Sequence, residues 1–238
     1  MKPRSASILR EMGLGPIWQL RQTSQPLPQA TQNVQLATTE APPQEDRAAA
    51  IAQMDWPALA RSVAVCRACP LCQERQQAVL GIGDHHAEWL FIGEGPGAEE
   101  DRRGEPFVGP AGRLLDAMLA ALGLDRRQGV YIANSVKCRP PDNRTPTTEE
   151  IAACWPYLQR QIELSSPKLI VALGKPAAQT LLQREVKIGA ERGKLHDYKG
   201  IGVVVTYHPA YLLRNLADKA KSWEDLCFAR SALENNLQ

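Results

Sequence analysis

An α/β fold, with a parallel sheet covered by helices on both faces, is predicted by three features of this 238-residue chain. Short apolar runs alternate with helical patterns from about residue 88 onward. The runs are near-continuously apolar, as strands buried on both faces must be. One of them ends in a glycine-rich loop that feeds a helix, the arrangement by which open α/β sheets bind ligands at their strand ends.

Taken in order, residues 1–22 hold a small amphipathic piece, from Ile8-Leu9 to Ile17-Trp18-Gln19-Leu20. Residues 23–46 are rich in Pro, Gln, Thr and Ala and poor in large apolar groups, so they read as a flexible linker. The folded domain is expected over 47–238. Asp55-Trp56-Pro57 reads as an N-cap followed by a proline in the first helical turn. Strands are predicted at 88–92, 130–134, 168–173 and 201–206, and helices at 112–122, 148–164, 175–183 and 218–235. Thr147-x-x-Glu150 is a capping box for the second of these helices, and Pro156 inside it should kink it.

Between the first two strands lies the most unusual stretch, Gly93-Glu94-Gly95-Pro96-Gly97, with Glu99-Glu100-Asp101 behind it. Three glycines and a proline in five residues continue neither strand nor helix. The spacing is not G-x-G-x-x-G, and no Gly-Lys-Ser/Thr follows, which excludes a dinucleotide fingerprint and a P-loop. Pro106-Phe107-Val108-Gly109-Pro110-Ala111-Gly112 then leads into a helix, whose backbone N–H groups at Gly109 to Gly112 suit a phosphate.

Composition narrows the function classes. A net charge of +2 is close to balance, so any nucleic-acid binding must come from a local patch. No stretch approaches the ~20 apolar residues of a membrane span. Arg10 and Glu11 interrupt the N-terminus before it could form a signal-peptide core. A cytoplasmic location is therefore expected, where six cysteines are better read as metal ligands or free thiols than as disulfides. Cys66-x-x-Cys69-x-x-Cys72 packs three thiols into seven residues, and Cys138 and Cys154 flank a distant loop. Cys66, Cys69, Cys138 and Cys154 make a plausible four-thiolate site, with Cys72 a possible substitute; spacing alone does not separate zinc from an iron–sulfur cluster. Cys227 reads as a packed thiol beside Leu226 and Phe228.

Read together, these pieces resemble the family 4 uracil-DNA glycosylases, the iron–sulfur class. The matching residues run in order over about 60–235: Cys66-x-x-Cys69; Gly93 to Gly97 with Glu99-Glu100-Asp101; Pro106-Phe-Val-Gly109-x-Ala-Gly112; Asn134-x-x-Lys-Cys-Arg-Pro-Pro141 with Asn143-Arg144; Cys154; Gln161-Ile-Glu163; and His208-Pro-Ala-Tyr-Leu-Leu-Arg214. The resemblance implies a three-layer α/β/α uracil-DNA-glycosylase-like domain with a four-stranded, mainly parallel sheet. It also implies a 4Fe–4S cluster on Cys66, Cys69, Cys138 and Cys154, with Cys72 a bystander, and removal of uracil from DNA to start base excision repair.

Residue types fit that chemistry. Breaking an N-glycosidic bond needs a flipped base in a pocket, a carboxylate near the sugar, and a donor on the departing uracil. Glu94 suits the carboxylate role and His208 the donor role, since the proline after His208 keeps its backbone extended. Glu100 is expected to place water or reject thymine's methyl group, and Asn143 to position Glu94 or water. Gly95 and Phe107 are expected at the base, Phe107 by stacking. Asn134 can donate and accept, matching uracil O4 and N3–H in a pattern that cytosine reverses. Leu212 and Leu213 read as a wedge entering the duplex, with Arg214 on phosphate. No lysine stands in the glycine loop, so no Schiff-base lyase step is expected. The expected partners are uracil-containing DNA and, through residues 1–22, a replication or repair protein; the chain is expected to be a monomer. The basic, histidine-containing insertion of a related class that cross-links to DNA is missing after Lys137-Cys138. The other rival is a non-catalytic iron–sulfur DNA-binding module tethered to such a partner.

Overall fold

The computed structural model describes residues 44–235; the amphipathic piece at 1–22 and nearly all of the linker at 23–46 lie outside them. Helix α1 (Gln44–Ala52) begins slightly before the expected start at Arg47, and α2 (Trp56–Val65) follows. Asp55 caps α2, its side chain accepting the Ala58 N–H at 2.8 Å.

The strands are β1 (Ile82–Gly83), β2 (Trp89–Gly93), β3 (Val130–Asn134), β4 (Leu169–Leu173), β5 (Leu195–Tyr198) and β6 (Ile201–Thr206). They form one sheet in the order β1-β3-β2-β4-β6-β5. The expected four strands are its parallel centre, β3-β2-β4-β6. The strand count is a correction: β1 and β5 add two antiparallel edges. β1 has only two residues, and β5 carries the polar pair His196-Asp197 at its centre, so neither shows as a continuous apolar run. The turn from β5 to β6 has positive φ at both Lys199 and Gly200, the two-residue form that suits a twisted hairpin.

Helices α3 (Ala98–Arg103) and α4 (Pro110–Ala121) lie between β2 and β3, and α5 (Thr148–Ser165) between β3 and β4. After β4 come α6 (Lys175–Leu182) and α7 (Ile188–Glu191). After β6 come α8 (Pro209–Leu212) and α9 (Lys219–Asn235). Thr147 and Glu150 close the expected capping box on α5, which continues through Pro156 to Ser165. Alternate strand residues separate the layers. Leu90, Ile92, Ile170 and Val203 face Leu158 and Ile162 of α5 and Ala178 and Leu181 of α6. Trp89, Phe91, Val171 and Val204 face Leu115 and Leu119 of α4 and Leu226 and Ala229 of α9. A third cluster gathers Ile51, Leu59, Val63 and Tyr157 with Cys66, Cys69, Cys138 and Cys154.

Candidate active site

β2 is flanked by β3 on one side and β4 on the other, so chain direction across the sheet switches at its carboxyl end, where α/β sheets open a crevice. Register sets Gly93 directly beside Asn134 at the two strand ends. A Cβ at Gly93 would fall 2.5 Å from Asn134 Oδ1 and 2.6 Å from the Phe107 ring, so only glycine lets these side chains close on the strand. Above them opens a cavity of about 540 Å³, lined among others by Glu94, Gly95, Glu100, Phe107, Asn134, Asn143, His208 and Arg214. The sequence-predicted pocket residues thus converge.

Asn134 is buried, and its Oδ1 has no hydrogen-bond partner among the described residues. A buried unpaired acceptor costs about 1–3 kcal/mol, so it marks a place where a ligand donor is expected. Lys137 reaches back beneath it, its buried Nζ donating to the Asn134 carbonyl at 2.7 Å.

Phe107 is buried with its backbone in the left-handed region, φ 55°. Its ring stacks on the His208 imidazole with centroids 5.5 Å apart and planes 30° apart. The Ala210 N–H donates to His208 Nδ1 at 3.1 Å, which leaves the neutral ring's proton on Nε2. Burial, with Arg214 nearby adding to it against an opposing pull from Glu100, pushes the His208 pKa down from 6.5 to about 4. The ring is therefore a neutral Nε2–H donor near pH 7.

The two acids differ in their surroundings. Burial raises the pKa of Glu94, and a hydrogen bond from Thr145 pulls it partly back. Glu100 is committed to the backbone: its Oε1 accepts Val108 N–H at 2.9 Å and Gly109 N–H at 3.1 Å, and its Oε2 accepts Gly97 N–H at 3.1 Å. It ties the glycine loop to the Phe107 loop. Asp101, also buried, accepts the Gln76 N–H at 3.0 Å and anchors the preceding segment.

Several expected roles are corrected. Leu212 is 1% exposed, so it belongs to the core and cannot enter a duplex; Leu213, 40% exposed, and the exposed Leu216 are the free leucines of this loop. The Gly109 N–H is spent on Glu100 and is not free for phosphate. Gly112 is buried, and a Cβ there would lie 1.7 Å from the Phe107 carbonyl oxygen, so its glycine answers a packing need. Asn143 lines the cavity in a strained turn, φ 53°, and its Oδ1 accepts from Arg139 Nε at 2.8 Å. Thr145, which no motif marked, also lines the cavity and is the side chain that draws the Glu94 pKa back down. Arg144 and Tyr211 also line the cavity. Arg144 grips the buried Glu150 with two bonds, at 2.8 and 2.6 Å, and Tyr211 donates to Asp218 at 2.7 Å.

Cys138 and Cys154 are buried in one cluster, and the half-buried Cys66 and Cys69 pack against it. Burial raises the pKa values of Cys69 and Cys138 and pushes Cys154 up to about 12. Arg75 Nη1 donates to Cys138 Sγ at 2.8 Å, the Lys137 N–H to Cys154 Sγ at 3.3 Å and Arg47 Nη2 to Cys66 Sγ at 3.6 Å. Cationic and backbone donors aimed at sulfur suit thiolates. Among the described residues no three His, Cys, Asp or Glu side chains close on the point that a single ion needs. Cys72 and Cys227 are half-buried, Cys227 in α9.

Fold and site define a class of α/β protein whose sheet opens, at the carboxyl ends of its parallel strands, into one cavity lined by a strand-end amide, a buried aromatic ring, a neutral histidine and a desolvated carboxylate. The chain belongs to the uracil DNA glycosylase superfamily, whose family model matches residues 80–227. It is 47% identical over 173 residues to a type-4 uracil-DNA glycosylase of Thermotoga maritima, covering 71% of this chain and 90% of that protein. It is 45% identical over 163 residues to one of Archaeoglobus fulgidus (65% and 81% covered) and 44% identical over 181 residues to one of Pyrobaculum aerophilum (73% and 92% covered). Among the described residues, no helix is long and apolar enough to cross a membrane.

Proposed function

We propose that this chain is a monofunctional uracil-DNA glycosylase that hydrolyses the N-glycosidic bond of deoxyuridine in DNA and so starts base excision repair. The observation that carries the reading is the buried, unpartnered Asn134 Oδ1 facing the cavity beside the Phe107–His208 stack. Flipped uracil stacks on Phe107 and donates N3–H to Asn134 Oδ1, while the Asn134 amide donates to O4. Cytosine carries an acceptor at N3 and a donor at C4, and the same amide rejects it by about 1–3 kcal/mol. As the C1′–N1 bond breaks, its electron pair leaves with uracil, and His208 Nε2–H stabilises the charge on the uracil oxygen. Glu94, in the wall of the cavity, takes up a proton from the water that forms the new C1′–O bond. Glu100 acts by holding the loops, and Arg214 with Leu213 faces the DNA. The non-catalytic binding-module reading is not favoured, because Glu94, Asn134 and His208 gather at one cavity.

Cys66, Cys69, Cys138 and Cys154 are the residues that would hold a 4Fe–4S cluster. Four clustered thiols that do not close on a single-ion point fit a polynuclear group better than the Zn–S distance of about 2.3 Å. When bound, the cluster ties the segment after α2 to the loop that carries Arg139 and Arg144. The enzyme acts in the cytoplasm as a monomer, and residues 1–22 tether it to a replication or repair protein; deletion of residues 1–46 then leaves cleavage of naked DNA intact.

The test is cleavage of oligonucleotides carrying one uracil opposite G, opposite A and unpaired, with alkali to reveal abasic sites. Strand breaks from the wild type and none from a Glu94→Gln His208→Asn variant are expected. No breaks from cluster-loaded wild type, with DNA still bound, would restore the binding-module reading.

A further inference from the structure

We propose that Arg126 is a positioning residue for this reaction: it holds Phe107 in the backbone conformation that turns its ring against His208 and the base cavity. The inference rests on the uracil-excision reading. A phenylalanine at φ 55° is in a region that large side chains avoid, and it persists only if its surroundings enforce it. The enforcement is visible. Arg126 Nη2 donates to the Phe107 carbonyl oxygen at 2.8 Å. Glu100 fixes the next peptide through Val108 N–H, and Gly112 closes against the same carbonyl.

Glu100 and Gly112 adjoin the Phe107 loop in sequence, whereas Arg126 comes from the turn before β3 and is itself immobilised. Its Nε donates to Asp116 at 2.7 Å and its Nη1 to Glu105 at 3.0 Å, with only 14% of the side chain exposed. Its backbone carbonyl lies against β1, where a Cβ on Gly83 would come within 2.9 Å. One rigid guanidinium thus grips the loop at Glu105 and at Phe107, using the fork geometry that a lysine lacks. Arg126 does not line the cavity, so any effect on catalysis must pass through the ring it holds.

A double-mutant cycle tests this in single-turnover cleavage of a uracil oligonucleotide, with Arg126→Met, Phe107→Ala and the pair. Arg126→Met alone is expected to slow cleavage by up to about 100-fold, the scale of an ångström's misplacement. It should also weaken inhibition by free uracil, a readout that loss of fold stability does not move. In the Phe107→Ala background, where there is no ring to place, the same substitution should change the rate by less than about threefold. If Arg126→Met does not fold, Arg126→Lys is carried through the same cycle. Effects that multiply across the cycle, or unchanged inhibition by uracil, would overturn the assignment while leaving the glycosylase reading standing. A wild type that releases no uracil would overturn that reading, and this inference with it.

Discussion

Replacing His208 offers the most direct measure of what desolvation does at this site. The ring titrates at about 4 in the folded chain against 6.5 when free. The native state therefore binds fewer protons than the unfolded state between those values, and stability falls as pH drops through them. At 1.36 kcal/mol per pH unit, the full gap amounts to about 3 kcal/mol, and about 2 kcal/mol is already lost at pH 5. Above pH 6.5 the contribution is complete and flat. The assay is urea unfolding of wild type and His208→Gln at pH 7, 6, 5 and 4.5, taking the difference between the two so that other groups cancel. The wild type should lose about 2 kcal/mol relative to the variant between pH 7 and 5. In parallel, His208→Gln removes the Nε2–H donor and should cut the cleavage rate by about 100- to 1000-fold at pH 7. A difference that stays flat from pH 7 to 4.5, or a ring resonance titrating near 6.5, would refute the claim that a neutral imidazole faces the base.

Three other outcomes are expected. The raised pKa of Glu94 puts the acidic limb of the single-turnover pH profile above the ordinary carboxylate value, with rate lost as pH falls, and Glu94→Gln should flatten that limb; a limb below the ordinary value would contradict the burial argument. Leu212→Ala should lower stability by about 2–5 kcal/mol in thermal or urea unfolding, whereas Leu213→Ala should leave stability nearly unchanged and slow excision from duplex DNA more than from single strands. Cys138→Ala should abolish bound iron and the associated visible absorbance, while Cys72→Ala should retain both; equal loss from the two would reassign the fourth thiol.

The parallel centre of the sheet was legible because each of its strands is an apolar run set off by turn residues, and α5 announced itself through Thr147 and Glu150. The edges β1 and β5 were not, since pairing along an edge needs few residues and little apolar surface. At the site, Glu94, Asn134, Phe107 and His208 stood at loop or strand ends where their chemistry had little structural competition. Leu212 misled because Leu212 and Leu213 look alike in sequence, and only the turn of α8 decides which of them points inward. Thr145 and Arg126 carried no signal: each works through a partner far away along the chain or across a loop, and that proximity exists only after folding.

The four residues from Ser135 to Cys138 join the Asn134 amide at the cavity to one of the four clustered thiols, and all four are buried. Lys137 fastens the stretch by bonding back to the Asn134 carbonyl. This short span behaves as a ruler. One residue more or fewer would shift either the amide or the sulfur, and the buried stretch has no slack to absorb it. The turn near Gly193, where nothing stands within 4 Å of an added Cβ, has room to spare. Length variation in this lineage, or in a library of insertions and deletions, should therefore be erased between Asn134 and Cys138 and tolerated near Gly193.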